Sequence, residues 1–166
     1  MNQNLEKLEK FEKNERLLAT RLFDHIPTIK SYEFTSGKIA YDTSIELQNG
    51  TKILGEIKVR NFDVDAYPTY ILQVDKLVSL IKRAKTNGYD LIYYLNFFNN
   101  PNPTLRSFIV FNLSKRIEIW KVEKPKVEIR YMNAATFAST TYKIPKEVIM
   151  LSYDPNMDWK GAFVLN

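Results

Sequence analysis

Three charged residues, Asp42, Glu56 and Lys58, are spaced so that a β-hairpin could bring them together on one face. Two adjacent carboxylates repel each other and raise each other's pKa unless a cation lies between them. A hard divalent ion such as Mg²⁺ does this well, because it binds one or two carboxylates and keeps water molecules for a substrate phosphate. Lys58 would reach the same space, where it could orient or deprotonate a water molecule or hold a phosphate oxygen.

The hairpin is predicted from two stretches, residues 38–47 and 52–60, that flank Gln48-Asn49-Gly50. In both stretches the odd positions are mostly apolar and the even positions are mostly polar. A period of two is typical of a strand with one face towards a core and one wetter face. Asp42, Glu56 and Lys58 would all lie on the more polar, even-numbered face.

The length of the loop decides which residues of the hairpin face each other. A strict two-residue turn would place Ile57 opposite Asp42, whereas a three-residue loop places Glu56 opposite Asp42 and Lys52 opposite Glu46. The three-residue loop puts its glycine at the left-handed position that this loop type prefers, and it sets opposite charges across the strands. We therefore predict the second register, in which Asp42 and Glu56 are cross-strand neighbours.

Further elements must hold this hairpin in place. Residues 4–24 contain no Gly or Pro and predict a helix whose apolar stripe is interrupted by Glu15. A short strand is predicted at 32–34, and a second helix follows Pro68 and ends near residue 86. Residues 90–98 are almost continuously apolar and aromatic, which is typical of a strand buried on both faces.

The C-terminal part of the chain is predicted to be rich in strands. The clearer candidates are residues 107–113 and 116–122, and the weaker ones are 126–132 and 146–153. We expect one domain over residues 1–166, made of a core at 1–100, a β-rich extension at 104–153 and a tail at 154–166.

Composition excludes several kinds of chemistry. The chain has 166 residues, no cysteine and one histidine, which rules out disulfides, thiol nucleophiles, cysteine-based zinc sites and two-histidine metal sites. It has five glycines and neither of the common phosphate-binding loop motifs. A net charge of +5 suits a polyanionic partner without demanding one.

Asp42, a hairpin and then Glu56-Ile57-Lys58 resemble the signature of the PD-(D/E)xK nuclease superfamily, which includes restriction endonucleases and Holliday junction resolvases. Over residues 5–100 the predicted order of elements also resembles the common core of that superfamily: helix, three-strand meander, helix, strand. The proline usually written before the aspartate is absent, since Tyr41 stands there. The resemblance implies an α/β, restriction-endonuclease-like core carrying the β-rich extension.

The same resemblance implies roles for five residues. Asp42 and Glu56 match the metal-binding acids, and Lys58 matches the catalytic lysine. Glu15 would match the glutamate that many members place on the first helix. Gln73 would match a polar residue that some members place on the helix after the motif. The implied cofactor is Mg²⁺ or Mn²⁺.

The expected function is metal-dependent hydrolysis of phosphodiester bonds in nucleic acid, with DNA as the favoured substrate. One alternative is a non-catalytic nucleic-acid-binding or assembly protein that keeps the fold, and another is a structural subunit whose sheet face is an interface. A homodimer would suit the cutting of two strands. Because no apolar run reaches the roughly 20 residues needed to span a bilayer and the start lacks a signal-peptide pattern, we expect no membrane association and a cytoplasmic protein. A composition rich in Asn, Lys, Ile and Tyr resembles that of phage or mobile-element proteins, in which case the host cytoplasm is expected.

Each of these residues also has an ordinary structural interpretation. The three motif residues could stand on a solvated sheet face, where Glu56 and Lys58 would form a weak surface ion pair. Glu15 could be a solvated residue at the edge of its helix, and Gln73 and Lys76 could be solvated flanks of the second helix. Only the tertiary structure distinguishes these interpretations.

Overall fold

The computed structural model describes residues 3–36, 41–134 and 142–165, and these residues form three helices and nine strands. Their bounds, in chain order, are α1 (Gln3–Asp24), β1 (Ile29–Phe34), β2 (Thr43–Leu47), β3 (Lys52–Asp63), β4 (Tyr70–Gln73), α2 (Val74–Asn87), β5 (Leu91–Asn99), β6 (Leu105–Asn112), α3 (Leu113–Val122), β7 (Val127–Asn133), β8 (Lys143–Leu151) and β9 (Trp159–Val164). The fold is mixed α/β, as predicted. Residues 38–40 of the expected strand 38–47 lie outside the described residues.

Six of the strands form one sheet, in the order β1-β2-β3-β5-β6-β9. Neighbours in this sheet are antiparallel except β3 and β5, which are parallel. A parallel pair needs a crossover connection, and the segment from β4 through α2 supplies it. Apart from the inserted strand β4, the order helix, three-strand meander, helix and strand is the one expected for a restriction-endonuclease-like core.

Both faces of this sheet are covered. On one face, Leu18 and Phe23 of α1 pack in a cluster with Ile53 of β3. On the other face, Leu54 is fully buried in a cluster that contains Leu77 and residues of α3. The expectation of a wetter even-numbered face is therefore wrong for β3, because α2 folds back over that face.

The hairpin between β2 and β3 has the three-residue loop that the sequence favours. Glu46 pairs with Lys52, and Gly50 ends the loop at a φ of 84°, the left-handed region that glycine adopts without strain. The ion partner of Glu46 is Lys30 of β1, whose Nζ lies 2.7 Å from Glu46 Oε1. The predicted register is thus confirmed, although the charge pair that favoured it forms with a different lysine.

A second sheet of three strands, in the order β4-β8-β7, stands beside the first. Its first strand corrects the sequence analysis, which placed Tyr70–Gln73 in the second helix. Leu72 pairs with Ile149 of β8, and both side chains are buried. This pairing takes precedence over the helical spacing of the apolar residues, and α2 begins only at Val74.

Residues 116–122 were expected to be a strand and instead belong to α3. Asn112 caps this helix, because its side chain accepts a hydrogen bond from the backbone N–H of Lys115 at 3.0 Å. Leu113, Ile117 and Trp120 all pack into the same core cluster. Their spacing of four and three residues suits one helix face, whereas a strand would send neighbouring side chains to opposite sides.

The last residues were expected to be a tail, yet Trp159–Val164 forms β9 at the edge of the six-stranded sheet, paired with β6. Asp158, which directly precedes β9, is buried and forms an ion pair with Arg116 of α3. Because a buried carboxylate needs such a partner, this contact anchors the C-terminal segment against α3. No helix of the described residues is long and apolar enough to cross a membrane.

Candidate active site

A cleft of about 560 Å³ opens where α1, the C-terminal part of β3 and the β7–β8 pair meet. Four of the five residues singled out in the sequence line this cleft: Glu15, Asp42, Lys58 and Gln73. Glu56 lies directly behind them, with no exposed surface. The tertiary structure therefore brings all five residues to one place.

Glu56 is a buried carboxylate held between two lysines. Its Oε1 lies 3.0 Å from Lys58 Nζ and 3.1 Å from Lys76 Nζ of α2. Its Oε2 is buried and has no hydrogen-bond partner among the residues that the structure describes. Burial raises the pKa of Glu56, and the charge of Asp42 raises it further, while the two lysines act in the opposite direction.

Asp42 is fixed against the backbone of β3. Its Oδ2 accepts a hydrogen bond from the Ile57 N–H at 2.7 Å, and its own N–H donates to Gly55 O at 3.0 Å. Glycine at position 55 lets β2 lie close to β3, because a Cβ atom there would lie 2.6 Å from the side chain of its partner Thr43. The β2–β3 ladder ends at this pair, so the expected pairing of Asp42 with Glu56 lies one residue beyond it.

Lys58 is the charged group that faces both the carboxylates and the cleft. Burial lowers its pKa, but the negative charges of Glu56 and Asp42 and a hydrogen bond to Glu56 raise it by more. The pKa of Lys58 therefore lies above its ordinary value, and the side chain is an ammonium at neutral pH. About a third of this side chain, 37%, is exposed.

Glu15 explains why the apolar stripe of α1 is interrupted. Leu18 and Leu22 are buried against the sheet, and Glu15, one turn earlier on the same side, reaches the cleft. Its Oε1 is buried without a hydrogen-bond partner among the described residues. Burial raises its pKa to about 8, aided by Asp42 and Glu56 and opposed by Lys58.

This carboxyl group predicts a pH-dependent stability. Because the pKa of Glu15 rises from 4.5 to about 8 on folding, its contribution to stability is complete below about pH 4.5 and is lost as the pH rises through 8. The ionised form costs at most about 5 kcal/mol. We expect Glu15→Gln to unfold like the wild type at pH 4 and to be more stable at pH 9, in urea titrations with EDTA. Equal stabilities at pH 9 would contradict the buried, partnerless carboxylate.

Gln73 is the last residue of β4 rather than part of a helix. Its Oε1 accepts a hydrogen bond from Lys146 Nζ of β8 at 3.2 Å. Both side chains line the cleft. The predicted position of Gln73 on the second helix is therefore wrong, although its predicted place in the site is consistent with the cleft.

Sequence reasoning missed one wall of the cleft, to which Tyr131, Lys143 and Lys146 contribute. No local signal links them to the motif, because they reach it only through the pairing of β4, β8 and β7. The sequence predicts Lys76 as a solvated flank of the second helix, but the structure shows it as an ion partner of Glu56. Arg60 donates hydrogen bonds to Asn96 Oδ1 and to Tyr94 Oη, which engages its guanidinium within the protein.

The carboxylate oxygens at the cleft suit a hard cation that is bound by few protein ligands. Among the described residues no three histidine, aspartate or glutamate side chains form a ready-made metal cluster. Asp42 and Glu56 nevertheless offer carboxylate oxygens, and Glu56 Oε2 is buried without a partner. Mg²⁺ binds through one or two carboxylates and water, so two ligands of this kind suffice.

Comparisons with known proteins find a similar solved structure but no matching family. No protein-family model and no curated protein matches it. Among solved structures it is similar to Hjc of Archaeoglobus fulgidus, a Holliday junction resolvase from an archaeal hyperthermophile, with 13% sequence identity and a TM-score of 0.46. The similarity covers 83% of this chain and 87% of that one. A similarity at this level assigns no role to any residue of this chain.

Proposed function

We propose that this chain is a divalent-metal-dependent nuclease that hydrolyses phosphodiester bonds, with DNA as its substrate. The observation that carries the proposal is the contact of the buried carboxylate of Glu56 with Lys58, which lines an open cleft together with Asp42. A surface ion pair would not need burial, whereas strongly perturbed carboxyl groups beside a lysine in a cleft are typical of reactive sites.

Asp42 and Glu56 would hold the ion, either Mg²⁺ or Mn²⁺. When bound, such an ion polarises a phosphoryl oxygen and lowers the pKa of a bound water molecule. The hydrogen bond from Ile57 N fixes one oxygen of Asp42, which orients that carboxylate. Lys76 keeps Glu56 in place from the side of α2, since it contacts the same oxygen as Lys58 does.

Lys58 would act as a charged donor. Since its pKa is raised, it does not readily accept a proton from water at neutral pH. Its ammonium group can instead orient the attacking water or stabilise the charge that develops on the phosphate oxygens. Glu15 and Gln73 border the same space and would position water or substrate.

A second candidate function is binding without cleavage. It is favoured by the two lysines that already neutralise Glu56, and by the absence of a three-ligand cluster among the described residues. In that case the lysines would contribute to structure, and the basic side chains of the cleft would contact phosphates.

A cleavage assay distinguishes the two functions. We expect the wild-type protein to cut at least one of single-stranded, double-stranded or branched DNA with Mg²⁺ or Mn²⁺, and to cut none of them with EDTA. Labelled products separated on a denaturing gel give the readout. If the protein binds DNA in a salt-dependent manner but cuts nothing with either ion, the binding-only function is correct.

A further inference from the structure

The cleft has two walls of different character above the floor formed by β3. One wall belongs to α1 and includes Glu12, Glu15 and Arg16. The other belongs to the β7–β8 pair and includes Tyr131, Asn133, Lys143 and Lys146. Lys58 lines the same cleft as both walls, so a ligand in contact with Lys58 can also contact the β7–β8 side.

Tyr131 is an exposed aromatic residue on this second wall. Its residue surface is 70% exposed, and its side chain makes no ring contact or hydrogen bond with the residues that the structure describes. It lies on β7, an edge strand of the β4-β8-β7 sheet. A rigid aromatic ring that is unpartnered at the mouth of a cleft is available to stack on a planar group.

Two lysines of the same wall, Lys143 and Lys146, have no carboxylate partner among the described residues. Lys143 is exposed and has no ion partner in the described part of the chain. Lys146 donates a hydrogen bond to Gln73 Oε1, a neutral acceptor, so its charge is also uncompensated. The negative groups Asp42, Glu15 and Glu56 lie deeper or on the other sides of the cleft. The β7–β8 wall is thus suited to phosphates, and the carboxylates of Asp42 and Glu56 are suited to a metal cation.

The size of the cleft restricts the form of the ligand. A space of about 560 Å³ lies within the roughly 300–1,000 Å³ range of pockets that enclose a drug-sized ligand. A segment of one nucleic-acid strand fits such a space. An aromatic platform beside basic side chains is the usual way to bind a single strand, because every base has a face that can stack.

We propose that the β7–β8 wall binds single-stranded DNA, with a base stacked on Tyr131 and phosphates contacted by Lys143 and Lys146. This inference rests on the proposed nuclease function only where it concerns cleavage of the bound strand. Binding of the strand to the β7–β8 wall does not depend on that function. The substrate would then be a single strand, or a frayed or branched end that presents one.

Fluorescence anisotropy with a labelled single-stranded oligodeoxynucleotide tests this inference in the absence of cleavage. The titrations are made in EDTA and repeated in Ca²⁺, with a duplex of the same sequence as the comparison ligand. Base stacking predicts that Tyr131→Ala weakens single-strand binding by about 5- to 150-fold and that Tyr131→Phe retains it. Lys143→Ala should lower the slope of log affinity against log salt by about 0.7.

Two matched variants control for general surface effects. Ile129 is an exposed apolar residue on β7 that does not line the cleft, and Lys85 is an exposed lysine on α2. Ile129→Ala and Lys85→Ala should bind the single strand as the wild type does. Because Tyr131 is exposed, its variants should retain the wild-type circular dichroism spectrum.

Any of four results would overturn the inference. The first two concern the wild type: it binds no single strand in either buffer, or it binds the duplex as tightly as the single strand. The other two concern the variants: Tyr131→Ala keeps the wild-type affinity, or Tyr131→Phe and Tyr131→Ala lose single-strand affinity to the same extent. A wild type that binds through Tyr131 and cuts nothing would instead remove the nuclease proposal and leave this inference standing. If the wild type cuts DNA and Tyr131→Ala binds the single strand with wild-type affinity, this inference fails and the nuclease proposal stands.

Discussion

Lys58→Ala is expected to lose about 10²–10⁴-fold in the rate of metal-dependent cleavage. Lys58 is the ammonium group that lines the cleft and contacts Glu56, so its removal takes away the donor nearest the carboxylates on the open side. The ion ligands remain in place. Single-turnover cleavage at saturating protein measures this loss separately from any loss of affinity.

A matched lysine distinguishes the chemical role of Lys58 from its pairing with Glu56. Lys76 contacts the same Glu56 oxygen, at 3.1 Å, but is not among the residues that line the cleft. Lys76→Ala should therefore reduce cleavage much less than Lys58→Ala does. Lys121→Ala, on the exposed side of α3, should retain the wild-type rate.

Two outcomes would contradict this assignment. If Lys58→Ala cuts at the wild-type rate, the chemistry lies on another residue. If Lys58→Ala and Lys76→Ala lose activity to the same extent, Lys58 acts only by holding Glu56. Loss of folding is excluded by comparing thermal unfolding midpoints, and both variants must unfold cooperatively for the comparison to count.

Glu56→Gln is expected to weaken Mg²⁺ or Mn²⁺ binding by more than about 100-fold, and to abolish cleavage with it. Substitution of a residue that only supports a metal ligand typically lowers metal affinity by about 10–100-fold, and substitution of a direct ligand should lower it further. Glutamine keeps the shape of the side chain but removes the charge that the ion needs. Isothermal titration calorimetry with each ion measures the effect in the absence of DNA.

The stability of the same variant separates metal loss from unfolding. Burial raises the pKa of Glu56, so the stability that this carboxyl contributes is present below its ordinary pKa and declines as the pH rises through the raised value. At neutral pH without metal, Glu56→Gln should therefore be no less stable than the wild type. Glu118→Gln, an exposed glutamate paired with Lys121, is the control that should leave metal binding unchanged. An unchanged titration for Glu56→Gln would rule out Glu56 as a ligand.

Short-range patterns in the sequence predicted the centre of the fold correctly. The alternation of residues along β2 and β3, with a glycine at the left-handed position of the loop, gave the register that the structure has. The apolar run of residues 90–98 predicted a buried strand, which the structure shows as β5, and the stretch without Gly or Pro before Pro27 predicted α1. These features depend on neighbours within a few residues, so local physical chemistry is enough to specify them.

The elements that the sequence misassigned depend on partners far along the chain. Tyr70–Gln73 is a strand because β8, more than 70 residues later, pairs with it. The segment that became α3 is capped by Asn112 and holds Arg116 against Asp158, a contact that no local pattern announces. The supposed tail is a strand because the edge of β6 offers it hydrogen bonds.

The sequence by itself therefore determined the motif, its hairpin and the helices and strand around it. Only the tertiary structure decided that Glu56 is fully buried, that Lys76 is its second partner, and that Tyr131 and Lys143 stand across the cleft from α1. The reason is physical. Hairpins and helices are specified by contacts between residues close in sequence, whereas burial and the cleft walls depend on pairing between strands far apart in the chain. Local patterns in a single sequence do not indicate which distant strands pair.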